Sequence, residues 1–100
     1  MQGPVGGPPE RVVETYSIMD SGQLTLAANV TVPLSTETYQ VFQVLVQAGN
    51  ANTGTVYVGN AMVQYVELPK GTSLTLPIDG LNKVYVKGTA GDVVNWMAFR

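Results

Sequence analysis

The amino-acid sequence predicts an all-β fold, an antiparallel β-sandwich of the jelly-roll type with a flexible N-terminal arm. Sixteen valines, ten threonines and five tyrosines favour a pleated, half-buried backbone. No window of about eleven residues carries a helical period, whereas apolar and polar residues alternate repeatedly along the chain. Turn signals separate about eight short runs at intervals of roughly 8–12 residues, which is typical of sandwiches and barrels.

Residues 1–9 are expected to form the arm. This segment holds three glycines and three prolines, which raise the entropy cost of ordering and remove backbone donors. We therefore place the sandwich domain at 10–100 and expect the arm to become ordered only on a partner, with Pro4, Pro8 and Pro9 in the contact. The arm has neither the basic region nor the apolar run of a signal peptide. No stretch of the chain reaches the roughly 18 apolar residues that a transmembrane helix requires.

In the N-terminal half, alternation defines the strands and turn residues separate them. The first run is predicted to end at a turn formed by Asp20-Ser21-Gly22. Pro33 has no backbone donor, so it ends the third run or places it at a sheet edge. The fourth run is expected to put Phe42 and Val44 on one face and Gln43 on the other. The four runs are 12–18, 24–26, 30–32 and 40–48.

In the C-terminal half, turns are predicted at 49–54, 59–60 and 69–71, where glycine, asparagine and proline concentrate. The runs 62–68 and 92–99 are apolar on both sides, whereas a strand covered on one side should alternate. Both sides of these two strands are therefore expected to be covered, by the arm, by loops or by another subunit. The predicted runs are 56–58, 62–68, 73–78, 83–87 and 92–99.

The largest apolar side chains on the alternating faces are predicted to form the core. Trp96 is the sole tryptophan, and truncating a buried large aromatic residue to alanine costs about 3–5 kcal/mol. The predicted core consists of Phe42, Val44, Leu74, Leu76, Val84, Val86, Val94 and Trp96.

The composition argues against most kinds of active site. The chain has no histidine and no cysteine, which removes the commonest general base, the thiolate nucleophile and almost every zinc site. The turn aspartates do not share one short loop, as a calcium site would require. A net charge of −2 argues against a partner held by phosphate contacts. We expect no enzymatic activity, no cofactor or metal, and neither a nucleic-acid nor a membrane partner.

The strongest functional signal is the distribution of charge. Glu37 is the only charged side chain between Asp20 and Glu67, although exposed strands normally carry charges that keep their edges from pairing. Depletion of charge with enrichment in tyrosine and methionine is typical of interface cores. The alternative is a small neutral surface on an ordinary sandwich. We predict an interface in an uncharged outward row made of Gln43, Tyr57, Gln64 and Tyr65.

The aromatic side chains support a second interpretation, a platform on which a sugar ring stacks. Tyrosine is equally common on half-buried strands, and the sequence shows no cluster of carboxylates and amides at one spacing. The candidates for such a platform are Tyr16, Tyr39, Tyr57, Tyr65, Tyr85 and Trp96.

Five segments within residues 52–97 carry a resemblance to known proteins: NTGTVYVGN (52–60), LPKG (68–71), LTLPI (74–78), LNKVYVKG (81–88) and GDVV (91–94). The pattern resembles small virion structural proteins of tailed bacteriophages. The resemblance implies a capsid decoration (cement) protein that binds and reinforces the head shell, or else a tail or baseplate subunit. It implies the major capsid protein or other virion subunits as partners. We expect a homo-oligomer because the uncharged middle of the chain has to be covered by something, and the resemblance favours a trimer. It also implies a place in the virion, after assembly in the host cytoplasm. A carbohydrate-binding or host-attachment module is the alternative outside that group.

Overall fold

The computed structural model describes residues 18–100. They form two four-stranded antiparallel sheets that pack face to face, which confirms the predicted all-β sandwich. The arm at 1–9, the domain boundary at residue 10 and most of the first predicted run lie outside the described residues. The elements are β1 Met19–Thr25, β2 Val32–Pro33, β3 Gln43–Ala48, β4 Val56–Gly59, β5 Gln64–Leu68, β6 Ser73–Leu76, a 3-10 helix Leu81–Lys83, β7 Tyr85–Lys87 and β8 Val93–Phe99.

The strands are paired in a nested order. The first sheet has the order β1-β8-β3-β6 and the second has the order β2-β7-β4-β5. Each strand of the first half therefore lies beside its counterpart counted from the chain end: β1 with β8, β2 with β7, β3 with β6, and β4 with β5. Among the described strands, β1 and β6 are the edges of the first sheet, and β2 and β5 are the edges of the second.

The core lies between the two sheets and is almost entirely aliphatic. In β3, Val44, Val46 and Ala48 are buried, whereas the alternate side chains are half-buried on the outside. This strict alternation is the physical basis of the sandwich, since one face of each strand must be apolar. The buried apolar residues are Leu26, Leu34, Val41, Val44, Val46, Ala48, Val56, Val58, Leu68, Leu81, Val84, Val86, Val94 and Ala98.

Most predicted core residues are confirmed, and one is wrong. The valines predicted for the core are buried, while Leu74, Leu76 and Trp96 are half-buried and pack against it. Phe42, in contrast, is 58% exposed, and its neighbour Val41 is buried. The chain bends at Phe42, and regular alternation begins only at Gln43. The predicted alternation is therefore one residue out of phase before β3 starts.

The predicted turn at residues 20–22 is also wrong, because these residues lie inside β1. Gly22 faces Trp96 across the pairing of β1 with β8, and a Cβ on Gly22 would lie 2.5 Å from Trp96 Cζ2. The glycine therefore provides space for the indole ring. Asp20 is held by an ion pair with Arg100, whose Nε lies 2.9 Å from Asp20 Oδ2. Both residues have long-range partners that a local turn signal does not reveal.

The two runs that are apolar on both sides have different environments. The run 92–99 becomes β8, a central strand between β1 and β3, and its inner side chains Val94 and Ala98 are buried in the core. Its outer side chains Val93, Met97 and Phe99 are only half-buried, so coverage of that side stays a prediction. The run 62–68 ends in β5, which is an edge of the second sheet. Its side chains Met62, Val63, Tyr65 and Val66 are 86%, 41%, 80% and 51% exposed, so nothing among residues 18–100 covers them.

The described residues also contain no helix long and apolar enough to cross a membrane.

Candidate interaction surfaces

The four uncharged residues predicted as one row do not share a surface. Gln43 lies on the outer face of the first sheet, because its neighbour Val44 points into the core. Tyr57 lies on the outer face of the second sheet, between the buried side chains of β4. Tyr65 is exposed on the edge strand β5. The two outer faces are on opposite sides of the sandwich, so one flat partner surface cannot contact all of these residues.

Gln64 is not an outward residue at all, since it is only 7% exposed. Its Nε2 donates a hydrogen bond to the backbone oxygen of Asn60 at 2.7 Å, and its Oε1 accepts one from Thr31 Oγ1 at 3.1 Å. The amide therefore braces the hairpin that joins β4 to β5. Pro4, Pro8 and Pro9 lie outside the described residues, so their part in an interface stays a prediction.

The outer face of the first sheet has no charged side chain among the described residues. We term this surface the neutral face. Strand register and alternation place on it Met19, Ser21, Gln23, Thr25, Gln43, Leu45, Gln47, Ser73, Thr75, Val93, Asn95, Met97 and Phe99.

The neutral face has a polar ladder beside an apolar row. Gln23 Nε2 donates a hydrogen bond to Asn95 Oδ1 at 2.8 Å, and Asn95 Nδ2 donates one to Gln47 Oε1 at 3.2 Å. In the adjacent row, Leu45 and Met97 face each other and are half-buried. A partner could cover this face without removing any charge from water, and burying an unpaired charge at a contact costs several kcal/mol.

Sequence reasoning found only part of the neutral face. The uncharged stretch between Glu37 and Glu67 identifies the contribution of β3. The face also takes side chains from β1 and β8, which lie at opposite ends of the described chain. Alternation within those strands was visible, but their register with β3 was not. The missing information was long-range pairing.

Charged and aromatic side chains gather at a second place, which we term the polar cleft. It is a cavity of about 530 Å³ at one end of the first sheet. Its lining comes from β1, the segment before β3, β8 and the last residue of the chain. The lining residues are Asp20, Ser21, Ser35, Glu37, Tyr39, Trp96 and Arg100.

The polar cleft is organised around Arg100. Its Nε donates a hydrogen bond to Asp20 Oδ2 at 2.9 Å, and its guanidinium carbon lies 4.0 Å from the centroid of the Tyr39 ring. The hydrogen bonds from Arg100 and then from Tyr39 lower the pKa of Asp20. Burial, followed by the hydrogen bond to Asp20, raises the pKa of Tyr39. The cleft thus combines two aromatic side chains with charged hydrogen-bonding groups.

The six aromatic side chains considered for a sugar platform are therefore divided. Tyr39 and Trp96 line the polar cleft, whereas Tyr57 and Tyr85 lie on the outer face of the second sheet. Tyr65 is exposed on the edge strand β5. Tyr16 lies outside the described residues. The sequence could not group Tyr39 with Trp96, because they come from distant segments with no common spacing.

Asp92 shows what a turn aspartate does in this fold. Its Oδ1 and Oδ2 accept hydrogen bonds from the backbone N–H groups of Thr53 and Gly54, at 2.9 and 2.8 Å. The backbone hydrogen bond from Thr53 is the main cause that lowers the pKa of Asp92, and the one from Gly54 adds to it. The carboxylate thus fastens the 49–54 loop to the start of β8. In the part of the chain that the structure describes, no group of three or more acidic side chains is placed to hold a metal ion.

Neither the neutral face nor the polar cleft by itself identifies a family for the chain. No protein-family model matches it, and no curated protein or solved structure matches it either.

Proposed function

We propose that the chain is a structural subunit of a virus particle, a decoration protein that binds and reinforces the head shell of a tailed bacteriophage. The observation that carries the proposal is the neutral face. A charge-free sheet surface with half-buried Leu45 and Met97 has the composition of an interface core and not that of a free surface. The chain acts by contact and carries out no catalysis.

The strand order supports this class of protein. Nested pairing of β1 with β8, and of β2 with β7, is the order expected when a long hairpin folds into a jelly roll. Jelly rolls with eight strands in two sheets are common among viral capsid and lectin domains. The strand order therefore supports the finer fold prediction, and it is compatible with the resemblance of residues 52–97 to virion proteins.

The proposed partner of the neutral face is the major capsid protein or another virion subunit. A shell presents many identical sites, so a small interface on each copy is sufficient when several copies bind together. A homotrimer, which the resemblance implies, would present three neutral faces at once. The proposed location is the virion, after assembly in the host cytoplasm.

The experiment places one negative charge on the neutral face and measures particle binding. Gln43→Glu changes a half-buried residue of that face, and Gln40→Glu makes the same change at an exposed residue before β3. A charge buried at a contact without a partner costs several kcal/mol, so Gln43→Glu should weaken binding by about 100-fold or more. Gln40→Glu should bind particles like the parent.

The readouts are sedimentation with purified particles and a cryo-electron microscopy map of decorated heads. Melting curves of both variants establish that they are folded. If both variants decorate particles like the parent, the interface lies elsewhere. If the map places the chain on the tail or baseplate, the alternative within the same group is correct.

A saccharide-binding or host-attachment role is the second candidate, and the polar cleft favours it. Tyr39 and Trp96 provide aromatic surface in its lining, and Glu37 provides a carboxylate beside the Asp20–Arg100 ion pair. A glycan array tests this role directly. Because Trp96 is the only tryptophan, a bound sugar should also change the intrinsic fluorescence. An array without signal and an unchanged emission spectrum would exclude this candidate.

A further inference from the structure

We infer that β5 is a pairing edge, through which two copies of the chain join their second sheets into one continuous sheet across a two-fold axis. The inference concerns the protein in solution and does not depend on the proposed role in a virion. It uses an edge of the second sheet, whereas the proposed function uses the face of the first.

The first argument is the concentration of exposed apolar side chains at this edge. Eight large hydrophobic residues are exposed among the described residues, and four of them lie in or directly before β5. They are Met62, Val63, Tyr65 and Val66. Natural proteins keep exposed edges short, charged or interrupted by proline. The other edge of the same sheet follows this rule, since β2 has two residues and ends in Pro33.

The second argument is that an edge strand specifies the shape of its partner. The backbone N–H and C=O groups on the outer side of β5 can form a regular ladder only with another extended strand. Side chains alternate above and below such a ladder, so Tyr65 and Val66 would both be covered, on opposite faces of the sheet. A globular surface that covers only one face would leave the other side chain in water.

The third argument is that β5 is complementary to itself. In an antiparallel pair centred on Val66, that residue faces Val66 of the second copy, and Tyr65 faces Glu67 of the second copy. The single charge of β5 thus meets a neutral side chain, whereas a pair centred on Glu67 would oppose two carboxylates. Within one copy, Glu67 and Lys87 flank Tyr57 on the outer face of the second sheet. Pairing through β5 therefore leaves Glu67 on the same face as Lys87 of its own copy, two strands away.

A cross-linking experiment tests the position of the axis. The chain has no cysteine, so Val66→Cys introduces a single thiol at the proposed two-fold axis. Directly opposite residues place their Cβ atoms about 4.5–5.5 Å apart, which a disulfide can bridge with a small adjustment. The matched control is Thr75→Cys, an exposed position on β6, the edge of the first sheet. Pairing would hold the two introduced thiols at a high effective concentration, so on oxidation at equal protein concentration Val66→Cys should form disulfide-linked dimers about tenfold faster than Thr75→Cys, or more.

A second variant tests the interface without a covalent link. Tyr65→Glu places a carboxylate directly opposite Glu67 of the second copy, and like charges facing each other across two strands destabilise the pair. In analytical ultracentrifugation, the dissociation constant of the dimer should rise about tenfold or more, while the melting temperature of the dilute protein stays unchanged.

Three outcomes would overturn the inference. The parent chain could sediment as a monomer at its highest soluble concentration. The two cysteine variants could cross-link at equal rates, or the Tyr65→Glu dimer could be as tight as the parent. Each outcome leaves particle binding through the neutral face untouched, so the inference and the proposed function fail separately.

Discussion

Replacing Gly22 with alanine should destabilise the sandwich by about 1–2 kcal/mol, although the same replacement in an open strand would stabilise it. An ideal Cβ at this position would lie 2.5 Å from Cζ2, 2.6 Å from Cε2 and 2.7 Å from Nε1 of Trp96. Overpacking of this kind costs about 1–3 kcal/mol. The lower entropy of the unfolded chain returns only about 0.4–1 kcal/mol. The clash is therefore larger than the entropic gain.

Chemical denaturation followed by intrinsic fluorescence measures this loss, and Trp96 as the only tryptophan reports on its own environment. For a domain of about 100 residues, each kcal/mol lowers the melting temperature by about 4–8 °C. The control is a double-mutant cycle with Trp96→Leu, since the smaller side chain leaves room for the new methyl group. In that background, Gly22→Ala should be neutral or stabilising.

The reasoning fails if Gly22→Ala is as stable as the parent and the emission spectrum does not move. That result would mean that the indole does not occupy the space above Gly22. The presence of glycine inside β1 would then have no steric cause.

Three further outcomes are expected. The backbone N–H of Thr53 lowers the pKa of Asp92 below its ordinary value of 3.8. The ionised carboxylate therefore stabilises the fold fully at pH values above 3.8, and this stabilisation is lost as the pH falls through the lower pKa of the folded state. Melting curves between neutral and acidic pH should therefore show a shallower acid loss for Asp92→Asn than for the parent. Leu81→Ala removes a fully buried side chain and should cost about 2–5 kcal/mol in urea denaturation, whereas exposed Met62→Ala should change stability by less than about 0.5 kcal/mol. Trp96→Ala should cost less than the roughly 3–5 kcal/mol of a fully buried aromatic residue, because the indole is only half-buried; a larger loss by calorimetry would contradict this.

The strands and most of the core could be predicted because alternation with a period of two residues is a local property. Val44, Val86 and Val94 identify their faces through their immediate neighbours, and they are buried as expected. Turn propensity is also local, and it misled at Asp20 and Gly22. There the deciding partners are Arg100 and Trp96, which lie more than seventy positions away in the chain.

The candidate surfaces were harder to predict for the same reason. Gln43 was identified correctly as an outward, uncharged residue, but Gln64 is buried by contacts with Asn60 and Thr31. The apolar pattern of residues 62–68 resembles that of residues 92–99, yet one run ends in an edge strand and the other forms a central strand. Only the order of strands in the sheet distinguishes these two positions, and strand order is not encoded in local periodicity.

The geometry of the sandwich allows both proposed contacts to form at the same time. The neutral face lies on the outside of the first sheet, and β5 is an edge of the second sheet, so a partner on one does not cover the other. A stable interface usually buries about 800 Å² on each side, which a single five-residue edge does not provide. A pair joined through β5 would nevertheless present two neutral faces, and the second face would bind at a high effective concentration once the first is bound. Weak pairing through Tyr65 and Val66 would then strengthen attachment to a repetitive surface without contacting that surface.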